Sequence, residues 1–324
     1  MSQDPQLDRT GEVIAQRYRL LGHLDRGGQG VVYRAQDLKH GDEVAVKILK
    51  DTSSRDVAWR ERMLREAHAL TVLRGTAAVQ ILHQAWANDG SFCLITELLK
   101  GKDFEGYLLA RESEGHLFGL AELCDLLEPV VATLEMAHHH GILHRDLKPA
   151  NVFVLQDGGV RLLDFGFAKF LRMRSVTAAG LVAGSPSYLA PELWRGQTNV
   201  DHRIDVYSLG ALVYRALASA PPFAGDSLQQ ILNQVTTAER PSLRQRRPDL
   251  PASIDDWVRQ ALAIEPEERF SRVRAMWNAL AAVRDKLDGP VSVEAISLEV
   301  NSPEARAIRA AAEEGADGDP PSRP

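Results

Sequence analysis

The stretch His144-Arg145-Asp146-Leu147-Lys148-Pro149-Ala150-Asn151, followed by Asp164-Phe165-Gly166, decides how the chain is read. It places acids, a lysine and an amide along one short run of sequence. An acid at Asp146 can accept the proton of an incoming hydroxyl. Asn151 and Asp164 carry oxygen ligands suited to hard Mg²⁺ ions that bridge phosphates. Lys148 can balance charge on a transferring group. These residue types at this spacing imply ATP-dependent phosphoryl transfer, with Mg²⁺ (or Mn²⁺) as the metal.

The octapeptide, the Asp164-Phe165-Gly166 triplet and their separation resemble the catalytic and metal-binding segments of eukaryotic-like (Hanks-type) bacterial serine/threonine protein kinases. The resemblance runs from Tyr18 to Leu287. It implies an α+β, two-lobed protein-kinase fold, with a small β-rich N-lobe over residues 18–98, a larger helical C-lobe over 99–287, and ATP between them. Residues 1–17 read as an N-terminal extension and 288–324 as a largely disordered tail with one short helix near Pro303–Glu314.

Local patterns agree with that division. Val31–Ala35, Glu43–Leu49 and Phe92–Thr96 read as strands, with turn residues at Lys39–Asp42. A helix is expected from near Ser53 towards Arg74. Leu123, Leu126, Leu127, Val130, Val131, Leu134 and Ala137 share one helical face, with Pro129 expected to kink that helix or mark a later start. Further helices are expected over Ile204–Ser219, Leu228–Thr236, Ile254–Ala263 and Val273–Leu287.

Gly27-Gly28-Gln29-Gly30 lies between two predicted strands, where missing side chains let backbone N–H groups approach phosphate oxygens. Val44-Ala45-Val46-Lys47 follows at the kinase distance, so the resemblance assigns the α and β phosphates to Lys47 and the adenine to Val32 and Ala45, with Phe153 in the same pocket. It assigns Glu66 as the carboxylate partner of Lys47, Thr96 as a small gatekeeper, and the Glu97 carbonyl and Leu99 N–H to the adenine edge. One departure stands out: Asp25 occupies the place of the first loop glycine. A carboxylate there repels a triphosphate if it points inward and costs little if it points outward, so lowered affinity is expected, not lost binding.

Arg145 beside Asp146 implies control by a phosphorylated activation segment, because a phosphate pairs well with arginine. Within that segment Thr177 is the expected site of trans-autophosphorylation. Ser185 is expected to reach Asp146 and Lys148 as a structural hydroxyl, Glu192 to pair with Arg269, and Asp205 to anchor the catalytic-loop backbone. His138-His139-His140 point in different directions on a helix and suit its end better than a metal. A pseudokinase scaffold would lack one of Lys47, Asp146, Asn151 or Asp164, and all four are present. Small-molecule phosphotransferases of this fold lack the Ala190-Pro191-Glu192 segment.

Bulk properties narrow the partners. The 324 residues carry 44% hydrophobic and 25% charged content, which is ordinary for a globular protein. A net charge of -6 argues against a nucleic-acid partner. Cys93 and Cys124 lack ligand-like spacing and read as buried, reduced thiols. No run approaches the roughly 18 apolar residues of a membrane segment, and no secretory signal opens the chain, so a cytoplasmic enzyme acting on protein substrates is expected.

Overall fold

Alternation in the first strands sets the architecture. In the computed structural model, which describes residues 8–27, 30–49, 61, 67, 70–165 and 186–286, Tyr33, Ala35, Val44 and Val46 point into one apolar core. Val32, Ala45 and Lys47 alternate onto the opposite face of the same sheet, half-buried. That face looks towards the large lobe.

The sheet has six antiparallel strands: β1 (Val13–Ile14), β2 (Tyr18–Gly27), β3 (Gly30–Asp37), β4 (Glu43–Leu49), β5 (Ile81–Trp86) and β6 (Phe92–Glu97), in the order β1-β2-β3-β4-β6-β5. A second, three-stranded sheet holds β7 (Gly101–Asp103), β8 (Val152–Leu155) and β9 (Val160–Leu162). Of the helix expected over residues 53–74, only Glu61, Ala67, the 3-10 turn Leu70–Leu73 and Arg74 fall among the described residues.

The helices are α1 (Phe104–Ser113), α2 (Leu120–His139), α3 (Pro191–Trp194), α4 (Arg203–Ala218), α5 (Leu228–Thr237), α6 (Ser253–Ala261) and α7 (Val273–Arg284). Pro129 does not delay α2, which starts at Leu120 and continues through it. Leu127, Val130, Val131 and Leu134 are wholly buried around the proline, and that packing outweighs one missing helical bond. Helix α4 is buried on every face and forms the axis of the large lobe. Among the described residues no helix is long and apolar enough to cross a membrane. The short helix expected near residues 303–314 lies outside the described residues.

Strand β3 meets β4 closely at Gly30, where a Cβ would collide with the backbone carbonyl of Ile48. Gly30→Ala should therefore cost about 1–3 kcal/mol by forcing backbone apart. A urea midpoint equal to that of the wild type would show that the strands separate without strain.

Candidate active site

The loop between α2 and β8 is held from below by Asp205 of α4. The Asp205 carboxylate accepts from the His144 N–H at 2.9 Å, the Arg145 N–H at 2.9 Å and His138 Nε2 at 2.7 Å. Burial alone would raise this carboxyl; the His138 hydrogen bond, nearby imidazoles and the His144 amide more than offset it and hold it below its ordinary value. Arg145 takes a left-handed backbone with φ 65, which few non-glycine residues adopt, and its amide bond to Asp205 holds it there.

His144 sits wholly inside the loop. Its Nε2 donates to the Leu163 carbonyl at 2.8 Å, while Nδ1 accepts from the Asp146 N–H at 3.3 Å. Only the neutral ring with its proton on Nε2 satisfies both partners. Burial lowers the affinity of this ring for a second proton, in keeping with that assignment.

Asp146 and Asn151 emerge from this frame, both nearly buried. Asn151 Nδ2 donates to the Asp146 carbonyl at 2.6 Å, which leaves Oδ1 as the amide atom available to a cation. Lys148 Nζ lies 3.4 Å from Asp146 Oδ2. Across the cleft, Lys47 of β4 donates to Asp164 Oδ1 at 2.5 Å, joining the two lobes. Asp164 also has a left-handed backbone, φ 51. Among the described residues no three His, Cys, Asp or Glu side chains converge on a metal site. Asn151 and Asp164 would hold an ion only with further oxygens, as a triphosphate supplies.

Among the residues expected to meet the nucleotide, Val32 pairs with Lys47 and Ala45 pairs with Thr96, which brings these half-buried residues onto one face of the sheet. Phe153 lies half-buried on β8, paired with Asp103 and Arg161. Glu97 closes β6, and Leu99 follows in the connection to β7. Gly27 and Gly30 pair at the end of the β2–β3 hairpin. Asp25 is exposed on β2, and its Oδ1 accepts from the Arg26 N–H at 2.7 Å. Gly28, Gln29, Glu66, Gly166, Thr177 and Ser185 lie outside the described residues.

Farther from the cleft, Glu192 and Arg269 meet at 2.7 Å through both carboxylate oxygens. Arg269 also donates to the carbonyls of Ala263, Arg203 and Ile264, so all five of its N–H groups have partners. Three contacts had no counterpart in the sequence reading. His138 bonds to Asp205. Arg215 of α4 sits between Glu105 and Glu112 of α1. Arg161 bonds to Glu97. For His138 the helix-end position was visible, but nothing in the local sequence names a partner 67 residues away.

Residues 18–281 match the protein kinase domain family. The chain is 33% identical over 278 residues to the serine/threonine-protein kinase PknL of Mycobacterium tuberculosis, covering 86% of this chain and 68% of PknL. It is 34% identical over 280 residues to PknA of the same species, covering 85% of this chain and 63% of PknA. The crystal structure of the M. tuberculosis PknI kinase domain superposes with a TM-score of 0.66 at 28% identity, covering 85% of this chain and 98% of that one. The chain belongs to the protein kinase family, among the Hanks-type bacterial serine/threonine kinases. Its two-lobed α+β fold is that of the family.

The buried neutral His144 makes stability depend on pH. An unfolded histidine takes up a proton near 6.5, whereas the folded ring resists it. Stability from this residue is therefore complete above 6.5 and is lost as pH falls from there towards the lowered folded value. His144→Gln should flatten the fall in urea midpoint between pH 7.5 and 5.5 relative to the wild type. Parallel curves for the two proteins would remove His144 as its source.

Proposed function

We propose that the chain transfers the γ-phosphoryl group of ATP, with Mg²⁺ (or Mn²⁺), to serine and threonine hydroxyls of protein substrates. The observation that supports this most is the meeting of Lys47 and Asp164 across the cleft, above a loop that presents Asp146, Lys148 and Asn151 together. Lys47 would exchange Asp164 for the α and β phosphates, held in place by Glu66. Asn151 and Asp164 would hold Mg²⁺, which would supply charge neutralisation on the phosphates.

Asp146 accepts the hydroxyl proton as the substrate oxygen approaches the γ-phosphorus. The bond to the β–γ bridging oxygen breaks, and that electron pair leaves with ADP. Because this transition state is loose, positioning contributes more than the basicity of Asp146. Lys148, 3.4 Å from Asp146, stands where negative charge gathers on the transferring group. Val32, Ala45, Phe153 and Thr96 enclose the adenine, and the Glu97 carbonyl and Leu99 N–H bind its edge. Asp25, exposed and turned to its own strand's backbone, has little reach towards the phosphates. A cytoplasmic location completes the reading, suited to an ATP-using enzyme with two buried free thiols.

Regulation belongs to the same proposal. A phosphate on Thr177, added in trans, would pair with Arg145 and order the segment ahead of Ser185. The Arg145 backbone is already set by its bond to Asp205.

Asp146→Asn should lower kcat by about 10²–10⁴-fold while ATP binding stays near wild type. Undiminished phosphoryl transfer to a generic basic protein, or incorporation confined to tyrosine, would overturn the assignment. For the switch, wild type and Thr177→Ala are stripped by a phosphatase and incubated with ATP. The wild type should show a lag that shortens with enzyme concentration, and the variant should stay at the initial low rate. Equal rates without a lag would place control elsewhere.

A further inference from the structure

The side chain of Glu97 turns away from the cleft and into the large lobe. Its Oε1 accepts from the Gln80 N–H at 2.9 Å and from Arg161 Nε at 3.1 Å. The Glu97 N–H in turn donates to the Gln80 carbonyl at 3.1 Å. Arg161 Nη1 donates to the Val160 carbonyl at 3.1 Å, which fixes the guanidinium along β9.

Residues 77–80 precede β5 of the small sheet, but they pack with the large lobe. Ala77 and Ala78 belong to its core. The Ala77 N–H donates to Thr133 Oγ1 of α2 at 3.0 Å. The Leu162 N–H donates to the Ala77 carbonyl at 2.7 Å, and the Val79 N–H donates to the Leu162 carbonyl at 3.0 Å. Two residues past Arg161, just beyond the end of β9, the Leu163 N–H donates to the Asn151 carbonyl at 2.8 Å. A continuous set of bonds therefore leads from Asn151 through β9 to the carboxylate of Glu97.

We infer that Arg161 is a positioning residue for nucleotide binding. Through Glu97 it fastens the adenine-binding edge to the large lobe, so that the edge keeps its distance from Asn151 and Asp164 while the six-stranded sheet pivots ahead of it. This rests on the proposed binding of adenine by residues 97–99. Glu97 pairs with Val44 of β4 and its carbonyl accepts from the Thr96 hydroxyl at 3.3 Å, but the connection beyond it has no strand partner until β7 begins at Gly101. Arg161 and Glu97 are 30% and 27% exposed, and a pair so placed contributes little to global stability. Its effect is local: it holds a flexible edge in the shape that adenine needs before adenine arrives.

The test uses the full chain and adenosine, which reads the adenine edge without the phosphates. Competitive inhibition by adenosine, ATP KM, kcat and Tm are measured for the wild type, Arg161→Leu, Arg161→Lys, Glu97→Gln and the Arg161→Leu/Glu97→Gln double variant. Arg161→Leu should raise both the adenosine inhibition constant and the ATP KM about two- to fivefold, the range for a partly exposed pair. Its kcat and Tm should match the wild type. Arg161→Lys should recover part of the loss, and the double variant should be no worse than the weaker single one. The wild-type advantage should also shrink at high salt. An unchanged adenosine constant in Arg161→Leu would overturn the inference, as would a joint fall of kcat and Tm, which marks a packing role. If adenosine fails to compete with ATP in the wild type, the adenine assignment falls first and the positioning role falls with it.

Discussion

The carboxylate of Asp205 lies with no solvent exposure inside a helix that is itself buried on all faces. Removing a charge from water costs several kcal/mol by general estimates, and that cost is tolerable only where donors surround the charge. Here the donors are two consecutive backbone amides from the loop above and one imidazole from the end of α2. The dependence is mutual, because those amides would be buried without partners if the carboxylate were gone. Arg145 could not keep its left-handed backbone without such support, since strain of this kind costs about 1–3 kcal/mol. The positions of Asp146, Lys148 and Asn151 all follow from that one anchor.

From the anchor the order propagates through single, well-defined groups. His144 links the loop to Leu163, Leu163 leads into Asp164, and Asp164 reaches Lys47 in the other lobe. Buried arginines do comparable work where helices join. Arg269 ties α3 to the segments before α7, and Arg215 ties α4 to α1. For Arg215 burial alone would make the guanidinium easier to deprotonate, and Glu112 and Glu105 reverse that and keep it charged. In each case a charge is buried with its partners already in place, the condition under which such a group holds a fold together.

Much of this was legible in the sequence, and the limits have physical causes. Strand β4 was readable to the residue because it is rich in β-branched residues and alternates from Glu43 to Ile48. Of the late helices, α5, α6 and α7 each bury one apolar face, whereas α4 is buried all round. Helix α1 was not readable, although Asp103 caps it and Phe104 and Leu108 repeat at helical spacing. Glu112 continues that buried face with a charge, and only Arg215, 103 residues later, makes the charge acceptable. At Pro129 the later helix start that the sequence allowed does not occur, because burial of its neighbours, which local sequence cannot show, carries the helix through the proline. The residues with the closest motif matches were placed by spacing. Their supports, His138 and Arg161, depend on partners from distant segments, and no window of sequence contains both members.

The setting of His144 has a bearing on how the cleft could be drugged. The ring of Phe165 lies 4.7 Å from that of His144, and the Leu163 peptide between them is held at both ends, by His144 and by Asn151. A compound that needs Phe165 swung aside must first give up the ring contact and then pull on a residue whose N–H and carbonyl are both bonded. Compounds that accept the floor of the cleft as it stands meet no such cost. Selectivity among ligands would thus be decided behind the catalytic loop, by a histidine that never touches them.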